Sequence, residues 1–302
     1  MGRIIDIKSK NMHSSLDYEM STTKKFLEKL PEVITWLTQR GFRAEVSRYS
    51  RYLDYIGNVS LKPKNPKEII DPTKVFDDGN TSLKEIIEIV FIYEAFKDIK
   101  SEGLDQRLKK IVDGKDFYED GDQDQPRDFL YELLISVWFQ DLGYTIDFDK
   151  ETDVVAKKGD IIVYGECKRI KSINGYEKNY RKACKQLSKI DIESDKTYRF
   201  VFIDVWNCFS KQIKTYEYDN VISMETYVKS GYQKYFLESI KTTLETVSNE
   251  YKDVIDGFAF TYNCCLWLYN VTPQYLKQMA FTLNPGMSDE KFDFIRNNVL
   301  SK

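Results

Sequence analysis

Three charged side chains interrupt two otherwise apolar stretches near the middle of this 302-residue chain. Asp153 precedes the run VVA, and Glu166 and Lys168 lie within IIVYGECK, after Lys158-Gly159. The pattern predicts a β-hairpin, because glycine supplies the positive φ that a two-residue turn needs. With a turn at Lys158-Gly159, Asp153 lies opposite Tyr164 and shares one face of the hairpin with Tyr164, Glu166 and Lys168.

Two carboxylates on one face of a hairpin can bind a single hard cation. In this register Asp153 and Glu166 are diagonal neighbours, roughly 7 to 8 Å apart at the backbone. Carboxylate oxygens bind such ions at roughly 2.0 to 2.6 Å, so both side chains reach one ion between them. Lys168 lies one pleat further along the strand. A turn one residue longer or shorter would move Asp153 to the opposite face and remove the site.

The elements around the hairpin predict an α/β core. After residue 128 the pattern gives helix 129–143, strands 144–148, 152–156 and 160–168, helix 177–190, strand 198–206, helix 232–251 and strand 257–269. Alternating strands and helices predict a mixed central sheet flanked by helices on both faces.

The part of the chain before residue 113 has a helical pattern. One helix follows the capping residues 21–23, Pro31 opens a second that Gly41 closes, and residues 42–56 and 83–99 form two more. Acidic residues, glycine and proline cluster between 113 and 128 and indicate a linker. We therefore expect a helical N-terminal domain over residues 1–115 and an α/β domain over residues 116–302.

The residues that carry chemistry resemble the PD-(D/E)XK superfamily of nucleases, also called restriction-endonuclease-like. The matching elements are Glu132 on the preceding helix, Asp153 at the end of one strand, and Glu166-Cys167-Lys168 on the next. The following helix, with Gln186, also resembles that family. The resemblance covers roughly residues 127 to 206 and implies a restriction-endonuclease-like core.

Two positions depart from patterns of that family. Thr152 stands before Asp153 where proline is typical, and Ile190 stands four residues after Gln186, so the QxxxY pattern of some branches is absent. The first 115 residues take no part in the resemblance.

The family implies hydrolysis of phosphodiester bonds with Mg²⁺, for which Mn²⁺ can substitute. Asp153 and Glu166 would hold the metal, with the backbone carbonyl of Cys167 as a further ligand and its thiol facing the core. Lys168 would orient or deprotonate the attacking water and balance charge, which suits a partly desolvated lysine. The metal would supply a hydroxide-like nucleophile and stabilise charge on the phosphate.

Each of these assignments has a structural alternative. Glu166 and Lys168 could form an exposed ion pair on one face of a strand. Glu132 lies with Ser136 on the small polar strip of an otherwise apolar helix, which suits a solvent-facing stripe as well as an acid that faces the site. Asp160 is a turn or strand-entry residue, and Glu151, opposite Glu166 in this register, is a reserve ligand.

A net charge of −3 argues against a nucleic-acid partner, but the charge is uneven. Residues 157–189 contain ten basic and three acidic side chains, a local charge of +7. The helix over 177–190 is predicted to bury its apolar residues (Tyr180, Ala183, Cys184, Leu187) and to display a basic face. That face is either solvated or clamps a nucleic-acid backbone. The candidate contacts are Arg169, Lys178, Arg181, Lys182, Lys185 and Gln186, of which Gln186 would support the site or touch a base.

The arginines near the N-terminus offer a second candidate nucleic-acid surface. Arg40, Arg43, Arg48 and Arg51 alternate with Tyr49 and Tyr52. Tyrosines at this spacing are more often part of a core.

Composition excludes several other kinds of chemistry. His13 is the one histidine, which excludes zinc hydrolases and Ser-His triads, and the five cysteines form no CxxC pair and suggest neither a disulfide framework nor a zinc site. No export signal or membrane span is recognisable, so we expect a soluble cytoplasmic protein.

These observations favour a magnesium-dependent endonuclease that acts on DNA, with RNA as a second choice of substrate. The helical domain would govern target, assembly or activation, with a second copy of the chain or a defence-system protein as partner, as in restriction or phage defence. The alternative is a non-cleaving nucleic-acid-binding or scaffold protein on a nuclease-like core.

Overall fold

A mixed β-sheet forms the centre of the computed structural model, which describes residues 3–7, 23–58, 72–117, 124–192, 194–213, 218, 220–266, 274–284 and 286–301. In these ranges the strands are β1 (Arg3–Ile7), β2 (Thr145–Ile146), β3 (Val154–Lys158), β4 (Ile161–Arg169), β5 (Thr197–Asp204), β6 (Gly257–Leu266) and β7 (Gln274–Leu283). Their order across the sheet is β1-β7-β6-β5-β4-β3-β2. Strands β4, β5 and β6 run parallel, and every other neighbouring pair among these strands is antiparallel.

Helices cover both faces of this sheet, as the alternating pattern predicted. They are α1 (Thr23–Gln39), α2 (Arg48–Asn58), α3 (Pro72–Phe96), α4 (Glu102–Val112), α5 (Gln125–Asp141), α6 (Tyr176–Leu187), α7 (Trp206–Phe209), α8 (Val221–Gly231), α9 (Glu238–Glu250) and α10 (Asp289–Phe294). A π-helical stretch, Tyr232–Leu237, joins α8 to α9, and another, Ile295–Val299, follows α10. None of these helices is long and apolar enough to cross a membrane.

One face of the sheet shares a hydrophobic core with the N-terminal helices. Helix α5 is the centre of this core, because every residue from Leu130 to Phe139 is buried. Trp138 packs against Phe202 of β5 and Phe281 of β7, with ring centroids 6.4 and 5.3 Å apart. Side chains of α1, α3 and α4 belong to the same cluster. The predicted boundary near residue 115 therefore does not coincide with a break in the core.

The opposite face of the sheet carries a second core with α6, α8 and α9. Tyr176 and Tyr180 of α6 are fully buried there and pack against Phe260 and Phe258 of β6. Alternate residues of β4 divide between the two cores, since Val163 joins the first and the adjacent residue of the strand joins the second.

Two predictions about the helical region were wrong. Pro31 does not open a helix, because α1 runs continuously from Thr23 to Gln39 with Pro31 inside it. Its buried stripe of Phe26, Leu30, Val33 and Leu37 continues across the proline, so packing outweighs the missing backbone donor. The predicted linker also ends earlier than expected, because α5 begins at Gln125. Residues 118–123 of the predicted linker lie outside the described ranges. Gly41 closes α1 with φ of 88°, as predicted.

Candidate active site

The hairpin of β3 and β4 turns one residue later than predicted. Gly159, with φ of 60°, and Asp160 form the turn, so that Lys158 pairs with Ile161. Val155, rather than Asp153, therefore lies opposite Tyr164. Glycine can occupy the first as well as the second position of a two-residue turn, and aspartate tolerates the other position. The identification of Asp160 as a turn residue is confirmed, and it pairs with Lys196 at 2.5 Å.

The corrected register keeps Asp153 on the predicted face. Moving the turn by one residue changes each cross-strand partner by two positions, which preserves side-chain parity. Asp153 directly precedes β3, and extending the register by one position puts it opposite Glu166 instead of diagonal to it. Glu151 is exposed and was wrongly placed opposite Glu166, because its partner position moves beyond that residue. The correction therefore brings Asp153 and Glu166 closer together than the sequence suggested.

Asp153, Glu166 and Lys168 form one hydrogen-bonded cluster. The ammonium of Lys168 lies 2.8 Å from Glu166 Oε2 and 3.4 Å from Asp153 Oδ2. The backbone N–H of Cys167 donates to the same Asp153 oxygen over 2.8 Å. The side chain of Glu166 is 4% exposed and that of Lys168 is 13% exposed, which excludes an exposed surface ion pair.

Cys167 faces away from the carboxylates. Its side chain belongs to the core that contains α5, whereas Tyr164, three positions earlier, belongs to the core on the α6 side. Burial, followed by the charges of Asp153 and Glu132, raises the pKa of the Cys167 thiol well above its usual value. The thiol is thus a core group, and the chemistry available to this residue at the site lies in its backbone.

The surroundings of Glu166 disfavour its charged form. Burial raises the pKa of Glu166 to about 7, the charge of Asp153 adds to the shift, and Lys168 opposes it. Burial lowers the pKa of Lys168, but Asp153 and Glu166 outweigh it, so that the pKa lies above its ordinary value. A cation bound beside Asp153 and Glu166 would stabilise the charged form of Glu166.

Glu132 of α5 is buried next to this cluster. Glu132 is 8% exposed, and Ser136, one turn further along α5, is 1% exposed. These two residues therefore do not form a solvent-facing stripe. Burial raises the pKa of Glu132 to about 8, Asp153 adds to the shift, and Arg107 opposes it. Arg107 Nε lies 3.6 Å from Glu132 Oε2. The charge of Asp153 is the observation that connects the two groups, and the assignment of Glu132 to the site stays a prediction.

The donor set fits a hard divalent cation. Asp153 and Glu166 would supply carboxylate oxygens on one face, and Cys167, next to Glu166, would supply a backbone carbonyl; these are the ligand types that Mg²⁺ prefers alongside water. Within the described ranges, no group of three or more His, Cys, Asp or Glu side chains is arranged to hold a metal. Two side-chain carboxylates completed by backbone and solvent are the arrangement that these residues allow.

Arg169 was predicted to contact nucleic acid, but its donors are directed to carboxylates. Its guanidinium lies 3.0 Å from Asp124, 3.3 Å from Asp128 and 3.3 Å from Asp204, and its side chain is 11% exposed. These contacts hold the beginning of α5 against the ends of β4 and β5. No local sequence pattern indicates them, because the acidic partners come from separate parts of the chain.

Helix α6 has the predicted division into an apolar and a basic face. Tyr180, Ala183, Cys184 and Leu187 are buried, as expected. Lys178, Lys182 and Lys185 are exposed. Arg181 is paired with Glu177 at 2.9 Å and with Glu250, and Gln186 is half-buried with its Oε1 lacking a hydrogen-bond partner among the described residues. The basic face available to a ligand is therefore carried by the lysines.

Arg48 and the two tyrosines of the N-terminal cluster form part of the core. Arg48, Tyr49 and Tyr52 are fully buried, and Arg48 Nε lies 2.8 Å from Glu85 Oε2. The expectation that the tyrosines belong to a core is confirmed.

The sequence did not predict a role for Arg107 of α4, although its Nε lies close to the carboxylate of Glu132. No spacing rule could have found it, because α4 and the hairpin are brought together only by the tertiary fold.

Comparison with models of known protein families matches none of them, and comparison with curated protein sequences gives no match.

Proposed function

We propose that this chain is a metal-dependent endonuclease with a restriction-endonuclease-like core that hydrolyses phosphodiester bonds in DNA. The observation that carries the proposal is the buried cluster of Asp153, Glu166 and Lys168, in which the ammonium lies within 3.4 Å of both carboxylates. Buried charges are costly unless they are paired, and such clusters occur preferentially at functional sites. The cluster also matches the residues on which the resemblance to the PD-(D/E)XK superfamily depends.

The chain's own residues divide the work of hydrolysis. Asp153, Glu166 and the Cys167 carbonyl would bind Mg²⁺, or Mn²⁺ in its place, and a bound ion of this kind activates water and stabilises charge on phosphate. Lys168 orients the attacking water and balances negative charge. In the metal-free protein Lys168 is protonated at neutral pH, because the carboxylates hold its pKa above the ordinary value. We therefore favour a role in which Lys168 orients the water and balances charge over one in which Lys168 removes a proton from the water.

Glu132 supplies a third acid at the edge of the site. Its raised pKa, about 8, suits a group that holds or accepts a proton near neutral pH. The burial of this residue supports a role at the site rather than at the surface.

Helix α6 is the proposed clamp for the nucleic-acid backbone. It begins at Tyr176, shortly after β4 ends at Arg169, and it packs against β4. Its exposed lysines Lys178, Lys182 and Lys185 would contact phosphates. DNA is the favoured substrate and RNA the second choice. A role in restriction or phage defence, in the cytoplasm and with a second copy or a defence partner, is proposed from the resemblance alone.

A second candidate is a non-cleaving nucleic-acid-binding protein or scaffold on the same core. The observation that favours it is the limited ligand set, since no group of three acidic, His or Cys side chains in the described ranges could hold a metal. The two candidates differ in one experiment. The purified protein is incubated with duplex, single-stranded and branched DNA and with RNA, with Mg²⁺, Mn²⁺ or EDTA. Metal-dependent cleavage supports the nuclease, and metal-independent binding without cleavage supports the alternative.

A further inference from the structure

The N-terminal end of α4 forms hydrogen bonds with the segment that leads to Asp153. The backbone N–H of Gly103 and the hydroxyl of Ser101 both donate to Asp149 Oδ1, over 3.0 and 3.1 Å. A Cβ atom on Gly103 would lie 2.0 Å from the carbonyl oxygen of Phe148, so only glycine allows this close approach. Helix α4 and the segment that leads to Asp153 are therefore packed backbone to backbone at Gly103 and Phe148.

Arg107 extends this contact to the carboxylates. Its guanidinium donates to the carbonyl oxygen of Phe148 over 2.7 Å and to that of Thr152 over 3.4 Å. Thr152 directly precedes Asp153. The remaining donor, Nε, lies 3.6 Å from Glu132 Oε2, is buried and lacks a hydrogen-bond partner among the described residues. One side chain thus contacts the backbone before Asp153 and faces Glu132.

We infer that Arg107 is a positioning residue that holds the segment carrying the metal-binding Asp153 in place. The inference rests on the proposed function, because it assigns Arg107 a role toward the same metal. Arginine presents its donors in a rigid planar fork, so it can fix two carbonyl groups while its charge remains near Glu132. A lysine at this position would keep the charge but lose the fork. Residues that orient metal ligands typically contribute about 10- to 100-fold to metal affinity or activity.

Arg40, which directly follows α1, is a matched control. Its side chain is 12% exposed, as is that of Arg107. It also donates to backbone carbonyls, those of Ile99 over 2.5 Å and Lys97 over 3.4 Å, and it pairs with Asp105 at 2.5 Å. None of these partners belongs to the site. A purely structural role for Arg107 predicts that Arg40→Gln and Arg107→Gln have similar effects.

The test is the affinity of the metal-free protein for Mn²⁺, measured by titration calorimetry and by the electron paramagnetic resonance signal of free Mn²⁺. Arg107→Gln and Arg107→Lys should both raise the Kd by about tenfold or more. Arg40→Gln should leave it within about twofold of the wild type. Binding of duplex DNA in EDTA should be the same in all of these proteins. An unchanged Kd in Arg107→Lys, or an equal rise in Arg40→Gln, overturns the inference.

A milder variant keeps the test decisive if Arg107→Gln does not fold. Asp149 is exposed, so Asp149→Asn weakens the hydrogen bonds that Ser101 and Gly103 of the α4 end donate to this side chain, without leaving a buried gap. It should raise the Kd for Mn²⁺ in the same direction, and an unchanged Kd counts against the inference. A wild type that binds Mn²⁺ but cuts nothing contradicts the nuclease proposal, and the Kd values still decide the role of Arg107. A wild type that cuts, with Arg107 variants of unchanged affinity, contradicts only this inference.

Discussion

The backbone N–H of Cys167 donates a hydrogen bond to Asp153 Oδ2 over 2.8 Å. Strand β4 therefore holds the carboxylate of Asp153 with the backbone of the residue that follows Glu166. The same oxygen lies 3.4 Å from the ammonium of Lys168. The register of this hairpin thus sets which residues of the two strands face each other, and with it the pairing of the two carboxylates.

Lys168→Ala should slow turnover while metal still binds. The ammonium lies 2.8 Å from Glu166 but is a cation, so it cannot be a metal ligand. Its removal should lower kcat by about 10²- to 10³-fold, the range typical of losing one preorganised group that stabilises charge. The Kd for Mn²⁺ should be equal or lower, since a competing positive charge is removed. Single-turnover cleavage and Mn²⁺ titration measure the two effects. A large decrease in Mn²⁺ affinity would contradict the proposed division of roles.

Glu132→Gln should impair cleavage more strongly than Ser136→Ala. Both residues are buried on the same polar strip of α5, and Ser136 donates to the backbone carbonyl of Glu132, over 3.0 Å. The amide keeps the volume of Glu132 but cannot hold or release a proton as the carboxyl group does, so we expect a decrease of at least about tenfold in kcat. Equal cleavage activity in both variants would show that Glu132 is not part of the site.

The stability of the metal-free protein should fall between pH 5 and about pH 8. The folded state raises the pKa of Glu166 to about 7 and that of Glu132 to about 8, from an ordinary value of 4.5. Each group binds its proton more tightly in the folded state, so its contribution to the free energy of unfolding is fully present below pH 4.5 and disappears as the pH rises through the folded value.

Denaturant unfolding at several pH values measures this decrease. Glu166→Gln should flatten the pH dependence by on the order of 1 to 3 kcal/mol, and Mg²⁺ should restore stability at pH 8, because the ion stabilises the charged carboxylates. The control is Glu151→Gln, which removes an exposed carboxylate from the neighbouring segment. The same pH dependence in the wild type and in Glu166→Gln would show that folding does not raise the pKa of this carboxyl group.

Lys182→Glu combined with Lys185→Glu should weaken the binding of duplex DNA and lower its salt dependence. For every phosphate that the protein no longer neutralises, the slope of log K against log salt concentration should become shallower by about 0.9. Arg181→Gln is the matched control on α6, because Arg181 is already paired with Glu177 at 2.9 Å and with Glu250. Fluorescence anisotropy at several salt concentrations gives the slopes. Identical slopes for the wild type and the double variant would exclude α6 as the clamp.

The sequence predicted the local features of the site and missed those that depend on distant contacts. Alternation along β4 placed Glu166 and Lys168 on one face, and the two-position error in cross-strand pairing left that face unchanged. Strand β1, by contrast, pairs Arg3–Ile7 with residues 279–283 at the other end of the chain, and no local pattern contains that information. Arg107 was missed for the same reason.

The helical region shows how packing overrides local signals. Pro31 is a strong helix-start signal, yet the buried stripe of α1 continues through it. In the sequence, Arg169 was counted as a basic residue together with the lysines of α6. In the structure, its guanidinium pairs with three carboxylates: Asp124 at the N-cap of α5, Asp128 in α5 and Asp204 at the end of β5. Charge counting along a chain cannot separate a neutralised arginine from a free one.

The most direct test of the nuclease proposal compares cleavage by the wild type with that by Glu166→Gln, Asp153→Asn and Glu151→Gln. The first two variants remove a metal-binding charge with little change in volume, and the third removes an exposed carboxylate two residues before Asp153. With Mg²⁺ or Mn²⁺, the wild type and Glu151→Gln should cut duplex DNA, and the other two should bind it without cutting. Equal cleavage by Glu166→Gln, or no cleavage of any DNA or RNA by the wild type, would contradict the proposed function.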